Sequence, residues 1–537
     1  MKSKKLCALL LALALTTALL AAGCGGNQQS QAGGKILRTA NGAEPETLDP
    51  RTAVGVPESM ILRQLFEGLC TQNQKGEPVP GVAERWEVSP DGLTYKFFLR
   101  SGLKWSNGDP LTARDFEFSW KSALSPELGS KYAEQLYYLK NGAAYNKGNA
   151  KADEVGVKAL DEKTLEVKLE KPTPYFLFLT TFWTYFPVPE KVVAANPKWH
   201  TDPKTLVGNG PFKIVSWTHT DKIELVKNDN YWNKDVVKLD KVVISLSDNV
   251  KTILDAFENK QLDAAEVTPP LPEIPRLLKE GKLKNGPYIG TYYYCVNTAK
   301  APFDDPRVRK AFALAIDRRT LIDNVIKGGE APALAWASPG LPDAKAGDDF
   351  RKVGGDLFKD NDVETAKKLL AEAGYPDGKD LPPVDILYNT SESHKVIAEA
   401  LQEMWKKNLG VSASLSNQEW KVYLQTRNAG NFQLARSSWI GDYADAMTFM
   451  DTLTSKNGNN LTRWGNPDYD KLVEQAKTSS DPAVRMKAMH DAEKILIDEM
   501  PVIPIYFYTN KYLENPKVKG VIRDALGAVY YREATID

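Results

Sequence analysis

The 537-residue chain is poor in the groups from which most enzymes and metal centres are built. It holds four histidines, His200, His219, His394 and His490, all far apart in sequence. No Gly-x-Ser-x-Gly elbow, His-Glu-x-x-His helix or phosphate-binding glycine loop occurs. Enzymatic activity is therefore not expected. The four cysteines, Cys7, Cys24, Cys70 and Cys295, form no Cys-x-x-Cys pair, and two of them lie in the N-terminal leader. Neither a zinc site nor a disulfide framework is predicted, and with Met, Cys and His this sparse no metal or cofactor is expected. Charge of one sign is also missing, since 69 basic residues face 69 acidic ones. Without a basic block there is no electrostatic footprint for nucleic acid. After the leader no hydrophobic run is long enough to span a bilayer, so the chain is not itself a channel. Internal repeats are absent, and so is low-complexity sequence beyond Gly34.

What is present is an ordinary globular composition, 42% hydrophobic and 26% charged, in a chain too long for one hydrophobic core. Lys2, Lys4 and Lys5 precede a mostly apolar stretch from Leu6 to Ala22, the build of a secretory signal over 1–23. Leu20-Ala21-Ala22-Gly23-Cys24 resembles the lipobox of bacterial lipoproteins, which implies lipidation of Cys24, although Ala21 stands where a large aliphatic residue is usual. Several acyl chains at ~0.8 kcal/mol per buried methylene would anchor the protein to the outer face of the cell membrane. The polar, glycine-rich segment 24–34 then reads as a flexible tether.

Local signals describe mixed α and β structure. Two strands flank the turn Ser89-Pro90-Asp91-Gly92 between Ala83 and Leu99, and a second hairpin joins 155–157 to 164–169. Thr112 to Asp115 forms a capping box opening a helix through Trp120. Helices are predicted from Asp305 through Ala315, from Val363 to Ala373 and from Ser391 to Leu409, with short strands at 385–388 and 504–508 among them. This alternation is that of an α/β domain.

Four stretches carry a family resemblance. They are Leu65 to Leu69 with Pro80 to Trp86; Ser89 to Tyr95 running on through Lys104-Trp105-Ser106-Asn107-Gly108-Asp109; Asn209 to Phe212 with Asn228 to Trp232; and Ala301 to Arg309. Together they resemble the oligopeptide-binding family of extracytoplasmic solute receptors, over nearly everything from Leu37 onward. The resemblance implies a three-lobed α/β fold of the periplasmic-binding-protein type, with two hinged ligand-binding lobes and one inserted extra domain. On that pattern domain I comprises 35–66, 188–289 and 510–537, domain II 67–187, and domain III 290–509. It further implies a monomer that binds short peptides and delivers them to the permease and ATPase subunits of an ABC importer.

By the same resemblance Asp442, in Trp439-Ile440-Gly441-Asp442-Tyr443, pairs with the ligand's α-ammonium. Ser438, Ile440 and Val56 offer backbone groups, while Trp439, Trp420 and Tyr508 form pocket walls. Arg436, Arg427 and His394 stand where a ligand carboxylate is bound, and an arginine fork suits that task. Each has a plainer reading: aspartates are mostly surface carboxylates, aromatics mostly core, and histidines often solvated. The sequence departs from well-known family members at five positions. Val54 and Cys295 replace acidic residues, and Gly290 and Ile440 replace cysteines that form a disulfide. A family lysine falls at or beside Ile326, where the adjacent Lys327 is a candidate substitute. Peptide length and side-chain preference therefore do not transfer. Rival readings are the same fold with a nickel chelate, haem or oligosaccharide as ligand, a peptide-pheromone sensor, and an exported hydrolase.

Overall fold

The computed structural model describes residues 34–537 apart from 75, 174 and 480. The signal segment, Cys24 and the tether up to residue 33 lie outside the described residues. Ile36–Asp537 forms one compact unit.

Three main sheets organise it. In the first, Ile36–Ala40 lies parallel to Lys241–Ser245, followed by antiparallel Lys222–Lys227 and Phe212–Thr218. Its two central strands alternate, with Val242, Ile244, Ile223 and Leu225 turned into the core. The second sheet lies between these segments in sequence. It is an antiparallel meander of Ala83–Val88, Thr94–Leu99, Thr164–Lys168 and Val157–Ala159. Both expected hairpins are present, and Gly92 closes the first turn at φ 69°. The helix Ala113–Leu124 has its capping box and overruns Trp120 by four residues. The overrun follows from the buried stripe Ala113, Phe116, Trp120 and Ala123, which keeps helical spacing beyond Trp120.

The third sheet is mixed and seven-stranded. Its order is Ala264–Ala265, Val502–Glu514, Leu283–Val296, Leu434–Ile440, Val384–Asn389 and Ala413–Gln418, with Ala331–Pro332 beside Val502–Glu514. The predicted short strand at 504–508 is in fact thirteen residues long. It continues because Leu283–Gly286 pairs onward with Asn510–Leu513. A bulge interrupts this pair, four steps from Pro287 to Thr291 opposing two from Thr509 to Phe507. There Ile289 turns aside, donating to the Ala525 carbonyl at 2.6 Å and accepting from the Gly441 amide at 2.9 Å.

Around this sheet the local signals hold. Asp305 caps Pro306–Leu314, Asp362 caps Val363–Glu372, and Ser391 caps Glu392–Leu409, which ends on Gly410 at φ 73°. Among the described residues no helix is long and apolar enough to cross a membrane. Cys70 and Cys295 are free and buried, and burial pushes both thiols up to about 12.

Candidate functional site

The strand Leu434–Ile440 is the floor of the site. One side pairs along its whole length with Gly290–Val296. On the other side Val384–Asn389 reaches only Leu434 and Ala435. From Arg436 to Ile440, therefore, that side is a strand edge uncovered by any other described strand. An extended chain finds hydrogen-bonding groups there. Opposite lies Val54–Pro57, where Val56 opens the helix Val56–Leu65 and is 43% exposed.

A cavity of about 360 Å³ opens between them, lined by all ten residues singled out from the sequence. Arg436, Ser438, Trp439 and Ile440 come from the strand, and Asp442 from just beyond its end. Trp420 and Arg427 lie two turns apart on the helix Trp420–Ala429, so with Leu424 they present one face. His394 sits in the first turn after the Ser391 cap, and Tyr508 comes from Val502–Glu514.

The two ends of the cavity differ in charge. Asp442 is 8% exposed and accepts from Gln135 Nε2 at 2.9 Å, yet among the described residues it forms no ion pair. Burial pushes its carboxyl well above the ordinary carboxylate range, partly offset by Arg63 and the Tyr132 hydroxyl. A cation placed beside it would find a desolvated partner. At the opposite end Arg436, also 8% exposed, donates to Tyr508 Oη at 2.8 Å and lies 4.7 Å from the Tyr292 ring centre. Arg427 donates to Ser437 Oγ at 3.2 Å. Among the described residues neither guanidinium has a carboxylate within ion-pair distance, and the Nε of each is buried without a hydrogen-bond partner. His394 is half-buried, 3.3 Å from Tyr292 Oη, and burial together with Arg436 holds its pKa well below 6.5. It acts as a neutral ring. Among the described residues the Trp439 indole N–H also lacks a partner.

The positions that depart from the family pattern have physical counterparts. Gly290 and Ile440 are direct cross-strand partners, and a Cβ on Gly290 would meet Ile440 Cδ1 at 2.4 Å. The isoleucine thus fills the space over the glycine. Val54 lines the cavity, whereas Lys327 is exposed and does not.

Sequence reasoning missed Arg63, Tyr132, Phe182, Trp183, Tyr293 and the segment Leu526–Gly527, all of which line the cavity. One signal was available: seven aromatics crowd the twelve residues from Tyr175 to Phe186. That density is equally the mark of a core, which most of them join.

A cleft between separate segments of the chain, with a free strand edge on one wall and unpaired buried charge at each end, defines a solute-binding receptor of the α/β class. The chain belongs to the bacterial extracellular solute-binding proteins, family 5, whose middle-region model matches residues 77–461. It is 44% identical to the oligopeptide-binding protein OppA of Bacillus subtilis, over 98% of both chains. The structure of the murein tripeptide binding protein MppA of Escherichia coli superposes with a TM-score of 0.88 at 38% identity, covering 94% of this chain and 99% of that one. Against the unliganded open form of MppA, at the same identity and covering 94% and 98%, the TM-score is 0.63.

Proposed function

We propose that this chain is an extracytoplasmic receptor that holds short peptides in the cleft and passes them to the permease and ATPase subunits of an ABC importer. The observation that carries this reading is the charge layout: a buried carboxylate, a free strand edge, and then the buried Arg436 and half-buried Arg427, none of them in an ion pair among the described residues. An extended peptide presents the complementary series of ammonium, backbone and carboxylate. The oligopeptide-binding name of the Bacillus relative supports the same ligand class.

Asp442 stands six positions after Arg436, about 20 Å of extended chain. Allowing about 8 Å for the reach of the two side chains leaves about 12 Å, the length of three or four extended residues. Tri- and tetrapeptides are accordingly the favoured ligands. The lobes we assign are 35–66 with 188–289 and 510–537, then 67–187, then 290–509. The hinge lies at the bulge around 287–291 and 507–509, where two long strands carry the chain between lobes. Lipidation at Cys24 would hold a monomeric receptor at the outer face of the cell membrane beside its importer.

The test is calorimetric titration of the chain from Ser30 onward, which contains the whole compact unit, after unfolding and refolding to remove carried-over ligand. Free tri- and tetrapeptides are expected to bind, and N-acetylation or Asp442→Ala to abolish binding. Binding that survives both changes overturns the role of Asp442. No binding of any peptide by folded protein overturns the peptide reading.

A further inference from the structure

We propose that Glu58 is a positioning residue of the closed cleft: its carboxyl ties the Val54–Pro57 segment to the Trp420 wall opposite, and the cleft takes up a proton there as it closes on a peptide. This inference rests on the peptide reading and on the lobes assigned above, and it adds a regulation by pH to that same site.

Glu58 lies in the first turn of Val56–Leu65 and is 1% exposed. Its Oε1 accepts from the Glu46 amide, which fixes the start of the helix to the segment before it. Its Oε2 lies against Gly55, where a Cβ would collide with it and would come within 3.2 Å of Trp420 Cζ2. Carboxyl and indole thus crowd one point on the backbone that lines the cavity, and the glycine leaves room for both. Gly55 and Glu58 belong to the lobe containing 35–66 and Trp420 to the lobe 290–509. The contact is therefore made across the cleft and is broken when the lobes part.

The groups acting on Glu58 from outside its own residue are the Glu46 amide, the Glu46 carboxylate and the Trp420 side chain. Lys421 and Arg427, on the same helix as Trp420, act on Glu46, which is half-buried and is itself raised by burial against them. Glu58 thus meets a like charge and an indole where a cation would be needed to keep its charge buried. Burial lifts its pKa to about 7, the Glu46 carboxylate adding to the rise, the Glu46 amide and Trp420 opposing it. Part of that burial comes from Gly55 and Glu46 on its own lobe and persists in an open cleft. Closure adds Trp420, which shuts out the remaining water.

The closed form accordingly binds more protons than the open one. Its advantage is fully present in acid and is lost as pH rises through about 7, so peptides are held more tightly below neutrality than above it. Asp442 and Arg436 are answered by the two ends of a peptide. Glu58 receives nothing from either end, and a proton neutralises it instead.

The probe is Ala-Ala-Ala, titrated calorimetrically into refolded wild type and Glu58→Gln from Ser30 onward. Glutamine keeps the acceptor for the Glu46 amide and never ionises. Titration of the peptide's ammonium and of Asp442 is common to both proteins and drops out of the ratio of their dissociation constants. The wild-type Kd divided by that of the variant is expected to rise about three- to tenfold from about pH 5.5 to about pH 8.5. Near neutrality the wild type is expected to take up more protons per peptide than the variant, read from the heats in phosphate and in Tris buffer. Unfolding curves at each pH serve as the folding control. A ratio that stays level with pH, or equal proton uptake by the two proteins, overturns this inference and leaves the peptide reading intact. Failure of the tripeptide to bind either folded protein at any pH overturns both.

Discussion

Replacing Glu58 by glutamine should stabilise the protein above neutral pH and leave it unchanged in acid. Glu58 lies in the first turn of Val56–Leu65, 1% exposed beside the mouth of the cleft. The Glu46 amide donates to its Oε1 at 2.5 Å, while Oε2 is buried beside the Trp420 side chain. A helix N-terminus ordinarily favours a carboxylate. Here burial outweighs it and pushes the carboxyl from 4.5 up to about 7, with the Glu46 amide opposing and the Glu46 carboxylate adding to the rise. The folded protein therefore binds more protons than the unfolded chain across that interval. Stability is lost as pH climbs from about 4.5, and the loss is complete above about 7, at about 3 kcal/mol. Glutamine keeps the acceptor for the Glu46 amide and never ionises. Urea unfolding of both proteins, followed by tryptophan fluorescence from pH 4 to pH 8.5, should show a gap that opens over this window in favour of the variant. A gap that stays level with pH would refute the burial argument.

Two further outcomes follow from buried contacts. Lys511→Met strips the ammonium from Glu330 in a pair whose side chains are 2% and 3% exposed, and should destabilise the protein by about 3–5 kcal/mol. Adding Glu330→Gln should recover most of that loss in a urea double-mutant cycle. Gly290→Ala forces a Cβ to within 2.4 Å of Ile440 Cδ1 and should cost about 1–3 kcal/mol. The penalty should shrink in an Ile440→Val background, which lacks that atom, and purely additive losses would argue against the contact.

What the sequence revealed divides by range. Helix caps were legible because their chemistry is local: the Thr112 box and the Asp305 and Ser391 caps each act within three residues. The length of Val502–Glu514 was not. Thr509 to Glu514 reads as polar, yet Lys511 is buried because Glu330, 181 residues away, neutralises it. The site residues were legible only through the motifs around them. Asp442 alone resembles any turn carboxylate, and its isolation from cations is a property of the folded cleft. Arg63 carried no signal, since every residue from Glu58 to Leu65 is buried and the helix shows no contrasting face.

The electrostatics of the cleft also explain why closure should depend on ligand. MppA scores 0.88 in one structure and 0.63 in its unliganded open form at the same 38% identity, so the difference reflects arrangement rather than sequence. This chain has the first arrangement. Gln135 meets Asp442, the Tyr175 ring stacks on Tyr443 at 4.7 Å, and Lys171 pairs with Glu474, joining the segment around 135–175 to that around 442–474. In this arrangement Asp442 and Arg436 are both buried, and among the described residues neither forms an ion pair. Closing on no ligand thus leaves buried charge uncompensated, whereas closing on a peptide supplies an ammonium and a carboxylate where they are wanted. A ligand shifts such an equilibrium only by its differential affinity for the closed form, and here that difference is built from charges the protein itself leaves unpaired.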